Sequence, residues 1–329
     1  MTSHTLLRLL AGAPGLPGPY LQENLGAYRC LDRLKAERNE IILAVGGFMK
    51  RDFFKSRPSQ LKDHAVALWQ VDDCTVVLDC EMHLQPEGTA PKIRGGPTPG
   101  HCRYHCVNTS LGTYWLALRF YCDVLSVFSD IVLIFVADFE GMSRVISFLC
   151  FWMSCAKAKH FPKRSQIILI ADEATTREGF DEFELLTTML SHLRTTEPGT
   201  PYSAAGVRQI IRQCFSCVLV RRCSELGPYA WQREMIQTRH DSQLKHVPPA
   251  RKGALLKTAI ALHAARPCVE FDPILCSSTQ RVSRNFERNL VEFIEASRDT
   301  DVNAISIIAS ALVMHAFTPE MPMRTASEI

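Results

Sequence analysis

Ile41-Ile-Leu-Ala-Val45-Gly46-Gly47-Phe48-Met49-Lys50-Arg51-Asp52 decides the fold class. Five aliphatic residues run without interruption into a pair of glycines. That pattern is a strand buried on both faces, ending in a tight turn. Asp130-Ile-Val-Leu-Ile-Phe-Val-Ala137 and Gln166-Ile-Ile-Leu-Ile-Ala171 repeat it downstream. Helical spacing separates them over 110–128, 142–158 and 180–193. A helix or turn over 204–213 and a last strand over 215–220 follow. His64–Val71 and Cys74–Cys80 read as an antiparallel hairpin turning at Asp72-Asp73. Residues 27–39 have helical spacing. Residues 50–62 read as a poor helix or loop, and the Pro/Gly-rich stretch 85–100 as a long loop. Buried strands alternating with helices imply an α/β fold with a mainly parallel sheet, the hairpin supplying one antiparallel edge strand. That strand order is the one a small GTPase, a P-loop-NTPase-like protein, uses.

Outside this block the pattern changes. Residues 1–26 read as a flexible arm. From 225 to 329 only helical spacing occurs, over 229–246, 254–265, 282–297 and 302–317. The expected division is an arm at 1–26, an α/β domain at 27–224 and an all-α extension at 225–329.

Composition narrows the function classes. The chain has 329 residues and a formal net charge of +3. That charge is too mild to imply a nucleic-acid partner. The most apolar stretch, 111–151, carries six charged side chains, so no membrane span is expected. Thirteen cysteines, an odd count scattered through apolar runs, point to a reducing, cytoplasmic setting.

A phosphate-binding P-loop needs Gly-x4-Gly-Lys-Ser/Thr directly after the first strand. Here Gly46, Gly47 and Lys50 are present at another spacing, and no hydroxyl follows the lysine. Lys50 and Arg51 are therefore expected to point to solvent. Asp79 stands where a GTPase carries its magnesium-directed aspartate, but Met82 replaces the glycine three residues on. Asp172 lies where guanine would be read, without the Asn-Lys pair. Gly46, Gly47, Lys50, Asp79 and Asp172 are thus a vestigial nucleotide site, and no cofactor is expected. Asp138-Phe-Glu-Gly141 reads as an acidic cap on the helix that follows.

Two other chemistries fit local patterns. Asp79-Cys-Glu81 on a strand puts two carboxylates on one side, as in the first motif of DEDD metal-dependent exonucleases. His101, Cys102, His105 and Cys106 gather four residues of zinc-ligand type within six positions, though zinc sites usually draw on two separated pairs. No Gly-x-Ser-x-Gly elbow or His-Glu-x-x-His is present, so no catalytic residue is assigned.

Leu78-Asp-Cys-Glu-Met82 with the Gly95–Gly100 loop, Asp130–Gly141, Trp152 with Arg164–Ala171, and Ile308–Met321 together resemble one family. It is the degenerate GTPase-like region that precedes the patatin domain of fungal patatin-like phospholipase (FabD/lysophospholipase-like) proteins. The resemblance implies a non-catalytic regulatory or scaffolding module, a pseudoenzyme whose partners are other proteins or a lipase domain encoded elsewhere. A nucleotide-binding GTPase-like protein with a divergent site stays open as an alternative.

Overall fold

The computed structural model describes residues 3–10, 19–34, 40–54, 65–82, 102–107, 109, 113–157, 165–172, 182–224, 249–267, 286–296 and 306–307. Nine strands form one sheet. They are β1 (Ser3–Leu10), β2 (Tyr20–Asn24), β3 (Glu40–Gly46), β4 (Ala65–Gln70), β5 (Thr75–Glu81), β6 (Cys102–Cys106), β7 (Ile131–Phe135), β8 (Gln166–Ala171) and β9 (Val218–Arg222). Their order is β6-β2-β1-β4-β5-β3-β7-β8-β9.

The sheet has two halves. β5, β3, β7, β8 and β9 run parallel. Every residue of β5, β7 and β8 is buried, as is all of β3 after Glu40. That explains the continuous aliphatic runs: a parallel strand covered on both faces has no solvent side to make polar. One face packs Ile42, Ala44, Val77, Leu133, Phe135, Ile168 and Ile170 against Phe53 and Trp69. The other half is antiparallel, with β4 on β5, β1 on β4, β2 on β1 and β6 on β2.

This second half corrects two expectations. The hairpin strand β4 is not an edge, because β1 pairs with its far side. The supposed flexible arm contains β1 and β2. Its sequence hides them because a register shift between Thr5 and Leu7 breaks the alternation, leaving both Leu6 and Leu7 buried. A bulge of this kind turns two adjacent side chains inward and erases the period-two signal.

Short helices α1 (Arg29–Asp32) and α2 (Phe48–Phe53) flank β3. Helix α3 (Thr113–Phe120) passes through a π-helical turn (Tyr121–Leu125) into α4 (Ser126–Phe128). Helices α5 (Met142–Lys157), α6 (Glu182–Thr196) and α7 (Ala204–Cys214) pack on one another. Between α7 and β9 the chain turns at Phe215, whose N–H still bonds Ile211 C=O, so the last strand begins at Val218 rather than Phe215.

Helix α8 (Pro249–Ala265) packs against α1, β6 and the π-helical turn. Its inner stripe carries Leu256, Ala259, Ile260 and His263, with Lys252 buried at one end. Burial pushes the Lys252 ammonium pKa down, while Asp130 and Glu40 pull it back up. Contacts gather the chain into one unit at 1–270 and another at 271–329, so α8 belongs to the unit that holds the sheet. In the second unit, α9 (Phe286–Ala296) is amphipathic, as its spacing predicts. The loop expected at 85–100 and the helix at 229–246 lie outside the described residues, as does that at 302–317 apart from 306–307. No helix among the described residues is long and apolar enough to cross a membrane.

Candidate functional site

β3 ends at Gly46, and α2 begins at Phe48 with only Gly47 between them. The turn between them is filled from inside the protein. Asp138 stands on the short 3-10 segment (Val136–Phe139) that follows β7. Its Oδ1 accepts the Met49 N–H at 2.8 Å and its Oδ2 the Lys50 N–H at 3.0 Å. A carboxylate at a helix start satisfies orphan N–H groups and meets the positive end of the helix dipole. Asp138 therefore caps α2, 89 residues away in sequence, and not the helix that follows it. The chain leaves Asp138 through Glu140 and Gly141, both at positive φ (59° and 113°), and only then starts α5.

The glycines are explained by the same carboxylate. A Cβ on Gly46 would lie 2.6 Å from Asp138 Oδ2 and 3.0 Å from Phe135 Cβ. A Cβ on Gly47 would meet Met82 C=O at 3.2 Å. The Gly-Gly pair makes room for an aspartate and for β5, whose next residue Met82 donates its N–H to Gly46 C=O at 2.9 Å.

Lys50 is fully buried, which corrects the expectation that it points to solvent. Its Nζ donates to Cys80 C=O at 2.6 Å, lies 2.5 Å from Asp79 Oδ1 and 3.3 Å from Glu81 Oε2. Arg51 joins from the half-exposed side, with Nη1 3.4 Å from Glu81 Oε1. Two cations of α2 thus meet two carboxylates of β5. Buried charges persist only when paired and hydrogen-bonded, so the four residues form one unit. Behind them, Tyr121 on the π-helical turn donates its hydroxyl to Glu81 C=O at 3.1 Å. Burial, then the nearby Cys80, Glu81 and Asp79, push the Tyr121 pKa well up, so the phenol stays a donor. Burial likewise keeps the Cys80 thiol protonated, against the pull of Lys50.

Of the vestigial set, the structure brings Gly46, Gly47, Lys50 and Asp79 together, and Glu81 with them. Asp172 follows β8 at its carboxyl end, where it and Asp52 raise the Cys223 pKa after burial has done so. The sequence reading missed Asp138 and Tyr121 as members of the site. A signal was present: two carboxylates within an otherwise largely aliphatic strand require cations, and Lys50-Arg51 are the cations that follow the adjoining turn.

The two metal readings meet the same geometry. Asp79 and Glu81 do share a side, but Lys50 and Arg51 occupy them. Cys102 and Cys106 stand on one face of β6. His105 stands on the other, where its Nε2 donates to Glu23 Oε2 at 2.9 Å. His101 lies outside the described residues. Among the described residues, no three His, Cys, Asp or Glu side chains gather in metal-holding positions. Among the described residues, no disulfide joins the cysteines of β5 or β6 to any other.

No family model matches the chain, and no curated protein is similar to it in sequence. Among solved structures, a variant of SsGBP is 11% identical over 61% of this chain and 56% of its own length, with a TM-score of 0.28. The translation elongation factor SelB from Methanococcus maripaludis, in complex with the GTP analogue GPPNHP, is 10% identical over 61% of this chain and 34% of its own, with a TM-score of 0.26. The siderophore hydrolase EstA from Aspergillus nidulans is 10% identical over 71% of this chain and 93% of its own, also at 0.26. This chain therefore spans about half of the first and a third of the second. Likenesses this remote assign neither a family nor a ligand.

Proposed function

We propose that this chain is a non-catalytic regulatory or scaffolding module with a GTPase-like sheet. In this reading it is a relative of the region upstream of fungal patatin-like phospholipase domains, working in the cytoplasm through protein partners or a lipase domain encoded elsewhere. The strand order β4-β5-β3-β7-β8-β9, with β4 antiparallel to β5 and the rest parallel, supports the GTPase-like part. One observation carries the loss of nucleotide binding. The turn after β3, where a P-loop would receive phosphate, is occupied by the Asp138 carboxylate, and Lys50 is committed to Asp79 and Glu81. A phosphate approaching that turn would meet a fixed negative charge and no available lysine. Loss of two or three charge-assisted hydrogen bonds of ~1.5–3 kcal/mol each removes several powers of ten in affinity.

Titration calorimetry of the full chain with GTP and ATP, each with magnesium, tests the reading. No measurable heat is expected. A dissociation constant in the low micromolar range or tighter would establish instead a divergent nucleotide-binding protein.

A further inference from the structure

β6 ends the nine-stranded sheet, and no described strand pairs with its outer side. The hydrogen-bond phase of that side follows from the inner one. Val107 donates its N–H to Pro19 C=O at 3.0 Å, and the register continues through Leu21↔His105 and Glu23↔Arg103. In an antiparallel pair, residues bonding inward alternate with residues bonding outward. Arg103 and His105 therefore direct their main-chain groups to β2, while Cys102, Tyr104 and Cys106 direct theirs away from the sheet. The side chains of these three share one face, where the Tyr104 hydroxyl accepts from Gln22 Nε2 at 3.1 Å. Natural edge strands are usually blunted by proline, lysine or a bulge. β6 is short and carries one charge, Arg103, but it has no proline, lysine or bulge, and its register with β2 is unbroken. Tyr104 is 58% exposed and Cys106 is exposed.

We propose that this edge pairs with β6 of a second copy of the chain, antiparallel, about a two-fold axis through Tyr104. The strand is nearly palindromic about that residue. The register puts Tyr104 opposite its own copy, Cys102 opposite the partner's Cys106, and Arg103 opposite the partner's His105. All three outward-bonding residues then pair in phase, and one sheet runs through both copies. Charge selects this register over its neighbour: a two-fold through Arg103 would face two arginines, whereas here each Arg103 faces a histidine already bonded to the Glu23 carboxylate.

The cysteines supply the test. Across this pair their Cα atoms would be about 5.5 Å apart, within disulfide reach. Within one strand, Cys102 and Cys106 are four residues and roughly 13 Å apart, too far to bridge each other. Diamide should therefore join Cys102 to the partner's Cys106. Two thiols lose two protons and two electrons, and diamide is reduced to its hydrazine. The full unmodified chain should give a band of twice the chain mass on a non-reducing gel and a peptide linking residues 102 and 106. Sedimentation velocity at tens of micromolar should show the dimer without oxidant. Tyr104→Lys and Tyr104→Glu each place a like charge against itself and should each lose the dimer, with melting temperatures within a few degrees of the parent. Mixed together, they should recover it. A chain that is monomeric at every concentration and is not cross-linked overturns the proposal. So does cross-linking through other cysteines, or a Tyr104→Lys plus Tyr104→Glu mixture no more dimeric than either alone.

Discussion

Lys50 Nζ lies 2.5 Å from Asp79 Oδ1, with 1% of the lysine side chain and 8% of the aspartate exposed. Removing one member of such a pair leaves a buried charge without compensation, which costs about 3–5 kcal/mol. Lys50→Met should therefore lower the urea midpoint markedly, since about 3–5 kcal/mol is a large share of a domain's ~5–15 kcal/mol. Arg51→Met should cost far less, ~1 kcal/mol or below, because 27% of the Arg51 side chain is exposed and solvent screens it. Equal midpoints for the two variants would refute the view that Lys50 anchors the cluster.

The sheet's parallel half was legible because burial on both faces writes itself as uninterrupted aliphatic runs, as in Ile131–Phe135 and Gln166–Ala171. The antiparallel extension was not. Leu6 and Leu7 are buried together at a bulge, and β6 has no apolar run because most of its side chains are exposed at an edge. The site was half legible. Gly46, Gly47, Lys50 and Asp79 were identifiable in the sequence, but the direction of Lys50 depends on Asp79 and Glu81 facing α2. The role of Asp138 depends on a contact across 89 residues, which no local pattern records.

Asp138→Ala deletes both acceptors of the Met49 and Lys50 N–H groups. Two charge-assisted bonds of ~1.5–3 kcal/mol each predict a loss of about 3–6 kcal/mol, read by denaturant unfolding. Asp138→Asn keeps one carbonyl acceptor but turns an amide toward the second donor, so it should fall between the parent and the alanine variant. An alanine variant as stable as the parent would remove Asp138 from its role as the cap of α2.

Gly46→Ala puts a methyl 2.6 Å from Asp138 Oδ2, 3.0 Å from Phe135 Cβ and 3.2 Å from Lys50 Cβ. None of these neighbours is the free end of a flexible chain. Overpacking should cost about 1–3 kcal/mol. Gly199→Ala, where a Cβ meets nothing within 4 Å, serves as the control and should change stability by under ~0.5 kcal/mol. Thermal unfolding of both variants decides whether the Gly-Gly turn is set by packing.

Glu23 is fully buried beside the open edge of the sheet. Burial pushes its carboxyl pKa up, but hydrogen bonds from His105 and Tyr28 and the charges of His105 and Arg103 outweigh it, leaving the pKa below the ordinary 4.5. Tyr28 donates at 2.5 Å, and its own pKa is driven far up, by burial first and by Glu23 second, so it remains a donor throughout. A depressed carboxyl pKa means that at acid pH the unfolded chain binds the proton more readily than the folded one. Stability then rises with pH. The contribution is fully present above about pH 4.5 and is lost as pH falls through the lower folded value. Glu23→Gln should therefore be less stable than the parent at neutral pH, and the gap should close as the pH falls below about 4.5. Urea midpoints across that range measure it. A gap that stays constant with pH would mean that the Glu23 charge plays no part in holding His105 and Tyr28 against β2.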